Sequence, residues 1–396
     1  MEKNKHNRRQ IILASTSHGV TDLYSSFIIG LIPILVVKFD LSLFLVALLT
    51  SINGISNSLT QPFFGYFSDK YGLKYFLVAG PLFASIFLSM LGIAPNYLFI
   101  LIILFLGNLS VSAFHPPSAA IAGHFGGKRK GFGVSIIALG GIIGYSIGSI
   151  FIILIVEKFG LKFTPITMIP GIIMSIILLK YVPSTLTTVN NTKKIHFISK
   201  LRNVKKSKLI LFSFIFFTSY SRDLLWLLLL TFMPLYFTYA SISLTNIGYI
   251  LLIFGLAGGI GGLFAGYYSD KIKNKTYIMQ AALIISIPLI YFIFKTSGLL
   301  SIILFIASGF FLISTLPICT RIAQTIFPGN IGFASSIVMG LSVGAASITM
   351  IFLGKLADSI GIISTISYAL IIPILSIFLL IFYPLLEKRF YNNFKP

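Results

Sequence analysis

The feature that most constrains this chain is its succession of uninterrupted apolar runs. They lie at roughly 11–36, 41–67, 75–93, 98–123, 131–157, 162–181, 208–238, 243–268, 276–294, 299–325, 331–357 and 362–386. A helix that crosses the hydrocarbon core of a bilayer needs about 20 such residues, and the longest runs leave room for tilt. Strands of a membrane barrel would instead alternate over about 10 residues. Composition agrees, because only 10% of the residues are charged against about 25% in a soluble domain. The expected fold class is an all-α membrane protein with 12 transmembrane helices. The run that follows Lys3, Lys5, Arg8 and Arg9 is too long for a signal-peptide core, so it reads as a retained first helix. The single cysteine, Cys319, permits no internal disulfide.

The net charge is +21. On a soluble protein that would point to nucleic acid; here it sorts by loop. With the amino terminus placed inside, all but six of the 30 Lys and Arg side chains fall in cytoplasmic segments. The exceptions are Lys38, Lys158, Lys162, Lys295 and Lys355 in outer loops, and Arg222 within a run. The positive-inside rule then predicts both termini in the cytoplasm and an even number of spans, in a bacterial or archaeal cytoplasmic (inner) membrane.

The sequence also repeats. Residues 65–74 read GYFSDKYGLK and residues 266–275 read GYYSDKIKNK, an offset of 201. At the same offset Asp22 meets Asp223, Pro33 meets Pro234, Pro116 meets Pro317, Gly131 meets Gly332 and Gly160 meets Gly361. The expected organisation is a six-helix bundle over 1–181, a basic cytoplasmic linker over 182–207 and a second six-helix bundle over 208–396. Two parallel six-helix halves related by an axis along the membrane normal describe the major facilitator architecture. The decapeptide resembles that superfamily's signature loop, with Gly65, Asp69, Lys70, Gly72 and Lys74 matching. The second copy keeps Gly266, Asp270, Lys271 and Lys275 and has Lys273 in place of the loop glycine. The resemblance implies a gate in which Asp69 and Asp270 face helix ends near Gly332 and Gly131.

Several polar residues interrupt the apolar runs. At 1.5 Å per residue, Asp22 lies roughly 16 Å into the first helix, near the middle of a core about 30 Å thick. His18 precedes it by one turn and shares its face. Ionised groups at that depth are costly, so the pair is expected to face water or a countercharge and to exchange protons. Proton-coupling residues are expected at Asp22, His18, His115 and Asp223. His115 is followed by Pro116 and Pro117, which should kink or break the fourth helix. Arg222 and Trp226 are expected to contact substrate, the arginine as a fixed cation able to hold an anionic group. Asn53, Asn57 and Gln61 form a polar stripe that suits either substrate contact or helix–helix hydrogen bonds. Gly140, Gly144 and Gly148 make a small-residue ridge for close packing, and Tyr145 beside them is a further expected substrate contact. No catalytic triad, metal-ligand spacing or phosphate-binding loop is present, and the expectation is no enzyme.

Three stretches carry a closer resemblance: HGVTDLYSSFIIGLIPIL (18–35), AFHPPSAAIAG (113–123) and AQTIFPGNIGFASSIVMGLSVG (323–344). On these the chain resembles the fosmidomycin-resistance family of major facilitator exporters. That implies proton-driven antiport of small, often anionic compounds such as a phosphonate antibiotic. The chain departs from the family at Pro117, where an acidic residue is usual, at Ile142, where asparagine is common, and at Asp223 after Arg222. The expected function is a proton-coupled antiporter exporting a small organic, anionic solute by alternating access, with these residues lining a cavity between the halves. The alternative is a proton symporter or uniporter for uptake of a metabolite. The proton is the expected coupling ion, with no metal or other cofactor. Membrane lipid and a small-molecule substrate are the expected partners of a monomer, with no nucleic acid.

Overall fold

The computed structural model describes residues 7–125, 130–183, 205–269, 271–272, 274–327 and 331–392. Regular structure among them is helical throughout. Twelve helices are long and apolar enough to cross a membrane. They are α1 Arg8–Phe39, α2 Leu43–Tyr71, α3 Leu73–Ile93, α4 Tyr97–Ile121, α5 Ser135–Phe159, α6 Leu161–Tyr181, α7 Lys206–Tyr239, α8 Leu244–Ser269, α9 Thr276–Ile293, α10 Gly298–Ile326, α11 Ala334–Ile360 and α12 Ile362–Phe390. The chain is a multi-pass membrane protein. Exposed apolar side chains follow helical spacing, as Leu98 (64%), Ile102 (47%) and Phe105 (45%) do along α4. Such a stripe fits lipid as the solvent.

The connections reuse one set of devices. Asp40 ends α1 and Ser241 ends α7 with left-handed φ values of 49° and 58°, and the two positions are 201 apart. The next residue of each closes back on the helix, Leu41 N–H to Val36 O and Ile242 N–H to Phe237 O. Ser42 then caps α2 through Leu45 N–H, and Ser243 caps α8 through Asn246 N–H. The repeat is therefore structural as well as sequential.

Two compact units are present. The first comprises 1–188 together with 229–256 and 347–362; the second comprises 189–228, 257–346 and 363–396. In the first, α1 lies directly on α5. A Cβ on Gly144 would stand 1.9 Å from the Gly19 carbonyl oxygen, and one on Gly140 would stand 2.1 Å from that of Ser15. The glycine ridge is thus a backbone-to-backbone contact. Ser25 on α1 donates to the Asn108 amide oxygen, and the Asn108 amide donates to Asn53 on α2. Tyr24 donates to Thr167 O and accepts from Gly171 N–H. Polar groups buried this way bond to each other because lipid offers them no partner. The second unit is filled by Leu211, Ile215, Met279, Ile318, Cys319, Val338 and Tyr383.

The fourth helix continues unbroken through His115, Pro116 and Pro117 to Phe125. Of the expected kink or break, the break does not occur. Ser118 donates to the His115 carbonyl, and Pro116 packs against Gly65 of α2. Helix α11, by contrast, contains a π-helical segment at Ile337–Leu341, of the kind often found at functional sites.

Candidate functional site

In the first unit three helices place titratable groups together. Asp22 Oδ2 lies 3.2 Å from His18 Nε2, and Asp22 Oδ1 lies 3.6 Å from His115 Nε2. The two imidazoles meet edge to face at 5.0 Å between centroids. His18 is held from behind, its Nδ1 2.8 Å from the Ile137 carbonyl of α5. That carbonyl can only accept, so Nδ1 carries the proton. His18 Nε2 and Asp22 Oδ1 are buried without a hydrogen-bond partner. A neutral His18 thus turns a lone pair toward a carboxylate oxygen, and an added proton converts that arrangement into an ion pair. Side-chain exposures of 14% for His18, 16% for Asp22 and 20% for His115 make the cluster part-buried.

Gly141 makes the room. A Cβ there would stand 2.7 Å from Asp22 Oδ2 and 2.8 Å from His18 Nε2. Tyr145, one turn further along α5, is half-buried and feels the Asp22 charge. The ligand atoms of His18, Asp22 and His115 all lie within 4.8 Å of one another, the one grouping of its kind among the described residues. One small bridging cation fits that spacing.

The second unit holds the counterpart, built differently. Arg222 donates from Nε (2.9 Å) and Nη2 (2.8 Å) to Asp223 Oδ1. Ser342 donates to Asp223 Oδ2 at 2.6 Å. Both carboxylate oxygens are satisfied. Ser219 donates to the Val338 carbonyl at 2.7 Å. At the repeat offset Ser219 stands where His18 stands, Val338 where Ile137 stands, and Ser342 where Gly141 stands. The two sites share one backbone frame and differ in what countercharges the aspartate.

This changes the picture of Arg222. Adjacent helical residues point about 100° apart, yet this long side chain folds back onto its neighbour. Its side chain is 1% exposed, and only Nη1, buried without a partner, is left over. Trp226, half-buried, packs beside Gly258 of α8. Of the polar stripe, Asn53 is 7% exposed and bonded to Asn108, a helix–helix link. The Asn57 carbonyl accepts from the Gln61 amide, while Asn57 Oδ1 is buried without a partner. Sequence reasoning missed Asn108, Ser219 and Ser342; the offset of 201, applied to His18 and Gly141, finds the last two.

In the signature loop, Gly65 packs on Pro116 and Gly266 on Pro317, again 201 apart. Gly72 has φ 107°, where a side chain would be strained. Asp69, Lys70 and Lys74 follow at the carboxyl end of α2 and the start of α3. Lys271 lies over the Tyr267 ring at 4.2 Å. Asp270 and Lys273 lie outside the described residues, as do the side chains at the helix ends near Gly131 and Gly332, the linker at 184–204, and Pro328 and Gly329.

Comparison with known proteins fits this geometry. The Major Facilitator Superfamily model matches residues 14–346. Among curated proteins, the Fosmidomycin resistance protein of Escherichia coli is 27% identical over 93% of this chain and 91% of its own length. An uncharacterized MFS-type transporter of Bacillus subtilis is 24% identical over the same shares. The multidrug resistance protein MdtG of Serratia proteamaculans is 26% identical over 76% of this chain and 77% of its own. Among solved structures, a peptide transporter aligns with a TM-score of 0.76 at 14% identity, over 96% of this chain and 95% of that one. The nucleoside transporter NupG aligns with a TM-score of 0.74 at 13% identity, over 94% and 99%.

Proposed function

We propose, for a chain that belongs to the Major Facilitator Superfamily and is a transporter rather than an enzyme, that it is a proton-coupled antiporter exporting a small organic anion. One observation carries the coupling: among the described residues, the countercharges beside Asp22 are two histidines, side chains that can gain and lose a proton. Among the described residues Asp22 thus has no permanent cation beside it, whereas Asp223 has Arg222, which keeps its proton. The exchanging groups are then Asp22, His18 and His115. Asp223, with both oxygens bonded, serves as a fixed ion pair, a narrower role than the sequence suggested. Proton and solute occupy the Asp22 pocket in turn as access alternates. Tyr145, Asn57, Gln61 and Trp226 are the proposed solute contacts. Export and an anionic substrate are supported by the names of relatives, one a resistance protein for fosmidomycin, a phosphonate, and another for multiple drugs. The protein acts as a monomer in the cytoplasmic membrane, both termini inside, with the proton as its coupling ion.

The test uses proteoliposomes with an imposed pH gradient and radiolabelled fosmidomycin. The expectation is gradient-driven accumulation in the native protein. Asp22→Asn should lose that accumulation and retain gradient-independent counterflow, and a chelator should change neither. Full accumulation by Asp22→Asn would remove Asp22 as the coupling group. Pumping abolished by the chelator would mean that a metal, not a proton, bridges the cluster. Accumulation that runs with the proton, rather than against it, would replace antiport with symport.

A further inference from the structure

We infer that Glu157 and Asp358 form a matched pair of latches that close the end of the bundle opposite the basic segments. Asp358, at the end of α11, accepts from two backbone donors in the first turn of α2, Leu43 N–H at 2.7 Å and Phe44 N–H at 3.2 Å. Glu157, at the end of α5, accepts from Thr245 N–H in the first turn of α8 at 3.2 Å and from the Thr245 hydroxyl. Every participant has its counterpart 201 residues on: Glu157 and Asp358, Phe44 and Thr245, and the capping serines Ser42 and Ser243. Both contacts lie within the first compact unit, and both join the two sequence repeats.

The chemistry is the same in each. The first turn of a helix presents N–H groups with no partner inside the helix and carries partial positive charge. Here the native serine cap supplies one acceptor from within the helix, and a carboxylate from the other repeat accepts from Leu43 and Phe44 in α2 and from Thr245 in α8. The contact therefore depends on the two repeats being together at this end. When they part, those N–H groups return to water or lipid headgroups.

The seam behind the latches is packed to match. A Cβ on Gly354 would stand 2.3 Å from Ala47 Cβ, and one on Gly248 would stand 2.6 Å from Ile150 and 3.1 Å from Ile153. Ala47 with Gly354 and Gly248 with Ile153 are one contact seen twice, since both pairs obey the offset. Deeper still, Thr231 donates to Thr50 at 2.9 Å, with both residues fully buried. Opening this end means unzipping a small-residue seam whose rim is pinned by two exposed carboxylates. These are positioning residues of the transport cycle. They set how readily one side opens and touch no solute. The inference rests on alternating access and is independent of the coupling ion and the substrate.

The experiment measures thiol accessibility in purified protein in nanodiscs, where reagent reaches both faces. Cys319→Ala removes the native thiol. One reporter, Thr50→Cys, sits in the seam; the other, Gln61→Cys, sits toward the opposite end of α2. Labelling by a charged maleimide is followed in time. Asp358→Ala and Glu157→Ala should each speed seam labelling about fivefold, the factor expected for loss of one helix cap. Labelling at position 61 should slow in step, because opening one end closes the other. Asp358→Asn and Glu157→Gln keep an acceptor oxygen and should restore much of the native rate. Unchanged seam labelling in both alanine variants would overturn the proposal. So would faster labelling at both reporters, which reports loosening of the fold.

Discussion

Asp22 and Asp223 occupy the same place in their repeats, yet one residue nearby makes them different groups. Thr21 precedes Asp22 and Arg222 precedes Asp223. The guanidinium supplies two charge-assisted hydrogen bonds, and Ser342 adds a third. Asp22 receives none of that and shares its charge with His18 and His115. Removing one partner of a buried ion pair strands the other. Arg222→Met alone should therefore destabilise the protein by about 3–5 kcal/mol. The double variant Arg222→Met, Asp223→Leu should recover most of that loss. Thermal unfolding in detergent checks both, and a double variant no more stable than the single would argue that the pair is doing something other than compensating itself.

At the scale of the element, α5 is defined by what it lacks. Gly140, Gly144 and Gly148 let it lie against the α1 backbone, and Gly141 leaves the volume that His18 and Asp22 fill. Because the nearest atoms are backbone, neighbours cannot rotate away. Gly144→Ala should cost about 1–3 kcal/mol, the usual range for overpacking, seen as a lower unfolding temperature. A substitution at Gly160, where nothing lies within 4 Å of a Cβ, meets no such neighbour and costs only through its φ of 89°. Equal losses at the two positions would mean the close approach is not what matters. Helix α4 teaches the converse. Two consecutive prolines do not end it, since local breaker signals yield where tertiary packing holds the element.

For the whole molecule, the repeat at offset 201 organises both the aspartate sites and the carboxylate caps on α2 and α8. The compact units nevertheless cut across it, because 229–256 and 347–362 pack with the first repeat. The latch and seam contacts are what tie those segments there. A disulfide across that seam should freeze it. Ala47→Cys with Gly354→Cys, made in a Cys319→Ala background, brings together Cβ positions that need move apart only to about 3.8 Å. Oxidation should stop transport and reductant should restore it, measured as solute flux in proteoliposomes. Undiminished flux with the bond formed would mean this end does not open.

The twelve spans, the repeat and the presence of buried charge were legible in the sequence, because a bilayer imposes length, hydropathy and sidedness one segment at a time. Asp22 with His18 was legible for the same reason, being one turn of one helix. The arrival of His115 at Asp22, the folding of Arg222 back onto Asp223, the use of Asn53 as a link to Asn108 and the carboxylate caps from Glu157 and Asp358 were decided only by tertiary structure. Each depends on which helices touch, at what height and with which rotamer. No local pattern encodes those quantities, since the same apolar helix satisfies its own backbone whichever neighbour it meets.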